Sequence, residues 1–172
     1  MVNSENTLVK NALNLGALTG IIIAVIQLLL FFIGMGDSMS WLIYLVLIGS
    51  IFWGCRQQRD KAGGGYITYG ESFLFGFLNA VGASLIFSVV FYLYMKFIDT
   101  AYLSQVLEQM EIALYEGDMG DEEIETFMNI YRKMLTPGML AFGVLFSYII
   151  MGTIISLITS IFIKNPKSIF ED

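Results

Sequence analysis

The sequence predicts an all-α polytopic membrane protein, and three observations indicate it. Hydrophobic residues make up 56% of the 172 residues and charged residues only 14%, and the mean hydropathy is +0.72. A soluble domain of this length cannot bury so much apolar surface. Four long apolar stretches divide the chain. Because backbone polar groups in lipid must be paired within the chain, we expect four transmembrane helices.

The first predicted span is Leu15–Ile33, nineteen residues without a charge. At about 1.5 Å per helical residue it is roughly 29 Å long, close to the thickness of a bilayer's hydrocarbon core. Its apolar run is longer than that of a secretory signal peptide, and Lys10 is the only basic residue before it. We therefore interpret it as a span that the protein retains.

The other three spans are predicted over residues 39–55, 72–98 and 140–163. Small residues recur at four-residue spacing in every span, as in Gly16 and Gly20. This spacing lets helix backbones approach closely. It favours packing within one four-helix bundle, and a face for a second copy of the chain is the alternative.

The long connection between the third and fourth spans, residues 99–136, is predicted to form a helical hairpin. Apolar residues recur at helical spacing on both sides of Gly117 and Gly120. From residue 83 to residue 116 there is neither glycine nor proline, so we expect the third span to continue without a break into the first helix of the hairpin.

The positions of Lys and Arg predict the orientation. With the N-terminus in the cytoplasm, six of the nine basic residues face the cytoplasm, in agreement with the positive-inside rule. These six are Lys10, Arg56, Arg59, Lys61, Lys164 and Lys167, and the other three are Lys96, Arg132 and Lys133. We therefore expect both termini in the cytoplasm and the hairpin on the opposite side.

The glycine-rich segment between the second and third spans has two interpretations. In the first it is only a joint, in which Thr68 and Glu71 form a capping box for the third helix and the glycines allow positive φ angles. In the second it binds the phosphate of a lipid such as a polyprenyl phosphate, because basic side chains and glycine backbone before a helix attract anions. The residues of this candidate lipid-phosphate site are Arg56, Arg59, Lys61, Gly63, Gly64 and Gly65.

Several kinds of chemistry lack the residues they need. There is no histidine and Cys55 is the only cysteine, which excludes a disulfide within the chain, a His/Cys metal site and a Ser-His or Cys-His nucleophile pair. The acidic run at 116–125 lacks the ligand pattern of an EF-hand. The net charge of −6 argues against nucleic-acid binding. We predict no catalytic residues, no cofactor and no metal site.

Gln27 and Asn79 are polar residues at membrane depth. Such side chains either hydrogen-bond across a bundle or mark a transport pathway.

The stretch "FWGCRQQRDKAGGGYITYGESFLFGF", together with four spans and a short basic tail, resembles one known family. Its most specific parts are the basic stretch, Gly64-Gly65 and the run Ile67–Gly70 that leads into Phe73. The family consists of uncharacterised four-span inner-membrane proteins of Bacteroidota, defined as a domain of unknown function. The resemblance covers essentially the whole chain and implies the fold and a bacterial inner membrane. It implies no catalytic or binding residues.

From these observations we predict a non-enzymatic scaffold or accessory subunit. Its expected partners are membrane lipids and either another membrane protein or a second copy of the chain, and no nucleic acid. One alternative is lipid-phosphate handling at the Arg/Gly-rich loop. A second alternative is a small transporter that works as an oligomer.

Overall fold

The computed structural model describes residues 2–36, 38–117 and 119–167, and it confirms the all-α prediction. Within these residues six α-helices and one short π-helix follow one another. They are α1 (Val2–Phe32), α2 (Trp41–Gln57), the π-helix (Gln58–Ala62), α3 (Tyr69–Phe97), α4 (Tyr102–Glu116), α5 (Asp121–Met134) and α6 (Pro137–Ile163). An isolated antiparallel bridge joins Ile67 to Asn165.

Three of the described helices are long and apolar enough to cross a membrane. They cover Asn6–Phe32, Tyr69–Phe97 and Pro137–Ile163. α2 has 17 residues, which is about 26 Å of helix and shorter than the other three. The apolar helices confirm the expectation of a membrane protein, and α2 as a fourth span stays a prediction.

The chain divides into two compact units. The first consists of Met1–Phe87 and Leu145–Asp172, and the second of Ser88–Val144. α1, α2 and the π-helix belong to the first unit, and α4 and α5 belong to the second. α3 and α6 each contribute to both.

Small residues bring helices of the first unit into close contact. A Cβ at Gly16 would overlap the backbone carbonyl of Asn79, and one at Gly152 would overlap the Cβ of Ala80. α1 and α6 therefore both approach α3 at positions where only glycine fits. These positions confirm the interpretation that small residues pack within the bundle, since their surface is already covered by the chain's own helices.

α2 is apolar on both sides but only one side faces the core. Ile43, Leu47 and Ile51, spaced four residues apart, are almost completely buried. The opposite side exposes Trp41, Leu45, Ile48, Phe52 and Trp53. A helix with an apolar exposed side as well as an apolar buried side is typical of a lipid environment rather than of water.

In the second unit α4 and α5 contact one another. Ile124 and Met128 of α5 are 2% and 3% exposed. A guanidinium nitrogen of Arg132 lies 3.5 Å from a carboxylate oxygen of Glu111, which joins the exposed sides of the two helices. Exposed pairs of this kind contribute little, so burial of the apolar side chains is the main stabilising term.

The expectation that the third span continues unbroken into α4 is wrong. α3 ends at Phe97 and α4 begins at Tyr102. The hydroxyl of Tyr94 donates to the carboxylate of Asp99 at 3.3 Å, and the backbone N–H of Asp99 also returns to the Tyr94 carbonyl, at 3.0 Å. These two hydrogen bonds of Asp99 accompany the end of α3, which occurs here without glycine or proline.

Candidate functional site

The candidate site lies in the joint, which we define as residues 58–68 between α2 and α3. The chain leaves α2 through the π-helix and then turns at three glycines. Gly64 and Gly65 have φ angles of +60° and +94°, in the left-handed region that residues with a side chain rarely adopt. A Cβ on Gly63 would overlap the carbonyl oxygen of Tyr66. Each glycine is therefore needed for the turn, two for their φ angles and one for space.

Thr68 and Glu71 hydrogen-bond each other at the start of α3. The backbone N–H and the hydroxyl of Thr68 each lie 2.8 Å from one carboxylate oxygen of Glu71, and the N–H of Glu71 donates to the Thr68 hydroxyl at 3.2 Å. This is the geometry of a capping box. It places a carboxylate at the positive end of the helix dipole, so a bound anion would be repelled from this end of α3.

Two of the three basic side chains near the joint share one carboxylate. Arg59 donates to Asp60 at 2.8 Å, and Arg56 lies 3.6 Å from the same carboxylate. The hydrogen bond from Arg59 and the positive charges of both arginines hold the pKa of Asp60 below its ordinary value. Arg59 also donates to the carbonyl of Ile163, 3.4 Å away. Both arginines are thus engaged by groups of the chain itself.

Three N–H groups of the glycine turn donate to carbonyl groups of the joint itself. The N–H of Gly63 donates to the Gln58 carbonyl and that of Gly65 to the Arg59 carbonyl, both at 2.9 Å. The N–H of Tyr66 donates to the Gly63 carbonyl at 3.0 Å. An anion-binding loop needs N–H groups that point away from the chain, and these three point into it.

The segment that follows α6 holds the joint in place. Ile67 and Asn165 exchange two backbone hydrogen bonds, of 2.9 and 2.8 Å. The side-chain amide of Asn165 donates to the carbonyl of Gly65 at 2.9 Å. Sequence reasoning missed Asn165, because a single asparagine about a hundred residues away carries no periodic signal.

Two cavities adjoin the π-helix. The first, of about 620 Å³, lies between the start of α1, the π-helix and the start of α3, and Glu71 and Tyr66 are among its lining residues. The second, of about 400 Å³, lies between α1 and α2, and its lining includes Lys61. Gln58 and Ala62 line both cavities. Both volumes are within the range that small-molecule sites occupy.

The six residues of the candidate lipid-phosphate site do not converge on one cavity. Lys61 lines the second cavity and Gly63 lines the first. Neither arginine is among the lining residues of these two cavities, and neither are Gly64 and Gly65. The cavity that contains Lys61 also includes Asn11, Asn14 and Gln57, which the sequence-based site omitted.

At membrane depth a polar cluster joins three helices. The amide of Asn79 on α3 donates to the hydroxyl of Ser50 on α2 at 3.1 Å. Ser50 and Thr19 of α1 are hydrogen-bonded to one another. Asn79 is completely buried, so these bonds satisfy polar groups that have no access to solvent. The predicted cross-bundle hydrogen bond of Asn79 is confirmed.

Gln27 behaves differently. It is 8% exposed, and its side-chain carbonyl oxygen has no hydrogen-bond partner among the described residues. The structure therefore gives no cross-bundle partner for this oxygen, in contrast to Asn79.

These features describe a small all-α protein with membrane-spanning helices and a hydrogen-bonded joint beside two cavities. The chain belongs to a family of proteins of unknown function, DUF4199, whose family model matches residues 14–165. The predicted resemblance to an uncharacterised family is confirmed, and the lineage stays a prediction. No curated protein and no solved structure matches the chain.

Proposed function

We propose that the protein is a four-span scaffold or accessory subunit of a bacterial inner membrane, and that it binds a membrane protein partner. Both termini lie in the cytoplasm, and α4 and α5 form a hairpin on the opposite side. The excess of Lys and Arg near the termini and the joint supports this orientation.

The exposed apolar side of α2 supports a fourth span. Its length of about 26 Å is a few ångströms below the typical hydrocarbon thickness, a mismatch that bilayers accommodate by thinning or through flanking residues. Arg56, one residue before the end of α2, is placed to reach the headgroups.

The proposed partner binding rests on one feature of α5, which has a second apolar side. Ile124 and Met128 are buried, whereas Ile130 is 52% exposed on the largely opposite side of the helix. A shallow groove of about 470 Å³ runs along this second side, lined by Met119, Glu122, Glu123, Thr126, Phe127 and Ile130. A surface helix needs one apolar side to pack, and a second, exposed one is typical of a protein contact.

The charges of the groove indicate the chemistry of the partner. Glu122 and Glu123 both line it, and the described lining residues include no basic residue. Complementary charge steers association and selects partners. The partner is therefore expected to present a segment that combines apolar and basic side chains.

A matched pair of variants tests this proposal. Ile130 on the groove and Ile112 on α4 are equally exposed, at 52% and 53%, and only Ile130 lines the groove. In mild detergent we expect Ile130→Glu to lose a co-purifying polypeptide that the wild type and Ile112→Glu both retain. Equal loss in both variants would contradict the groove, and a wild type without any such polypeptide would contradict the scaffold role.

The second candidate function is lipid-phosphate binding at the joint. One observation favours it: Lys61 lines a cavity rich in amide side chains, and Asp60, whose carboxylate the two arginines share, is not among its lining residues.

A further inference from the structure

α1 and α2 run antiparallel in a defined register beside the second cavity. The amide of Asn11 donates to the side-chain carbonyl of Gln58 at 3.2 Å, and eight residues further along α1 Thr19 is hydrogen-bonded to Ser50. Each step forward along α1 therefore corresponds to one step backward along α2. This register identifies which residues of α1 and α2 lie at the same depth in the bundle.

The cavity is polar at one end and apolar at the other. Asn11 and Asn14 of α1 line it at the level of Gln57, and Lys61 follows on the π-helix. Apart from Gln58, its remaining lining is apolar and comprises Leu15, Leu18, Trp53, Gly54, Ala62 and Phe75. On α1 the change from amide to leucine takes place between Asn14 and Leu15, where the predicted span begins. The polar end therefore corresponds to the headgroup level of a membrane.

The polar end offers hydrogen-bond donors and a positive charge. Lys61 forms no ion pair in the described part of the chain, and no hydrogen bond of the Asn14 or Gln57 side chains is found there. The lining residues include no carboxylate, whereas Glu71 lines the neighbouring cavity. An ammonium group with nearby amide N–H groups suits a phosphate, and the absence of a lining carboxylate removes the main source of repulsion.

We infer that this second cavity binds the phosphate of a phospholipid, with Lys61 and the amides of Asn14 and Gln57 at the phosphate and an acyl chain along Leu18 and Trp53. The inference rests on the second candidate function and names its ligand and its residues. It moves the site from the glycine turn, where the N–H groups of Gly63, Gly65 and Tyr66 are engaged, to the neighbouring cavity. Trp53 is exposed beside it, at a position typical of interfacial tryptophan.

The apolar end distinguishes a phospholipid from free phosphate. Inorganic phosphate would use only the donors, and a lipid without phosphate would use only the apolar surface. A phosphate ester with an acyl chain uses both, so we expect binding to need both parts of the ligand.

The test uses the full-length protein in detergent, delipidated and then mixed with phosphatidylglycerol, diacylglycerol or inorganic phosphate. Native mass spectrometry should show one bound phosphatidylglycerol and neither of the other two. Equal binding of diacylglycerol would indicate an apolar groove that does not recognise phosphate. Equal binding of inorganic phosphate would indicate an anion site that does not recognise the acyl chain. Either result overturns the inference.

Lys61→Met removes the charge at the cavity and keeps the aliphatic stem, and Lys164→Met makes the same change on an exposed lysine outside the cavity lining. We expect Lys61→Met to weaken phosphatidylglycerol binding about tenfold and Lys164→Met to change it less than about twofold. Equal effects would contradict a specific site. Retention of the co-purifying polypeptide by Lys61→Met would separate failure of this site from failure of the scaffold role.

Discussion

The joint and the connection between α3 and α6 are stabilised in different ways. The joint, residues 58–68, is held by hydrogen bonds: the Thr68–Glu71 pair, the glycine turn and the amide of Asn165. The connection, residues 98–136, instead contains two buried apolar side chains of α5, Ile124 and Met128. The hydrogen bonds fix the backbone geometry of the joint. On α5, by contrast, burial of one side leaves the exposed side available to a partner.

The largest effect expected from this difference is in labelling. On the proposed topology, the two connections lie on opposite sides of the membrane. A membrane-impermeant thiol reagent should label Met119→Cys only from the non-cytoplasmic side and Lys61→Cys only from the cytoplasmic side, because both positions are exposed. Cys55 is buried and provides a common background in both variants. Labelling of both variants from the same side would contradict the orientation.

The next effect concerns the packing of α5. Ile124→Ala removes a buried side chain and should destabilise the second unit by about 3 kcal/mol, since large-to-small changes in a core leave a cavity. Hydrogen exchange should become faster in α4 and α5 and stay unchanged at Ile67 in the joint. Ile130→Ala, on the exposed side, serves as the control and should have little effect. Equal acceleration in both variants would argue against a buried α5 side.

A smaller effect is expected at the glycine turn. Gly65→Ala should destabilise the first unit by about 1–2 kcal/mol because φ is +94° at this position. Gly70→Ala is the control, since Gly70 lies in α3 with open space around its Cβ position. Thermal unfolding in detergent measures both. A melting temperature lowered equally by the two variants would show that the φ angle of Gly65 is not the cause.

Local patterns in the sequence predicted most of the helical structure. The apolar runs gave α1, α3 and α6, and the three-residue spacing of Thr68 and Glu71 indicated the hydrogen bonds at the start of α3. Each of these features depends on neighbours a few residues apart. Periodicity and capping are local properties, so a single sequence contains them.

Features that depend on distant residues were harder to predict. One local feature was also missed: α3 ends at Phe97, where Tyr94 hydrogen-bonds to Asp99, without a glycine or proline to mark the end. The contact of Asn165 with Gly65 and the position of Lys61 on an amide-lined cavity both need the register between helices. Sequence patterns showed that basic residues and glycines are close in the chain, but not which of them share a cavity.

The most direct test of the proposed scaffold role is native mass spectrometry of the wild-type protein, extracted gently from its own membrane. The proposal predicts a second polypeptide bound at a constant ratio across preparations. A protein that is recovered without any polypeptide partner, whether bare or with a single bound phospholipid, would contradict the scaffold role.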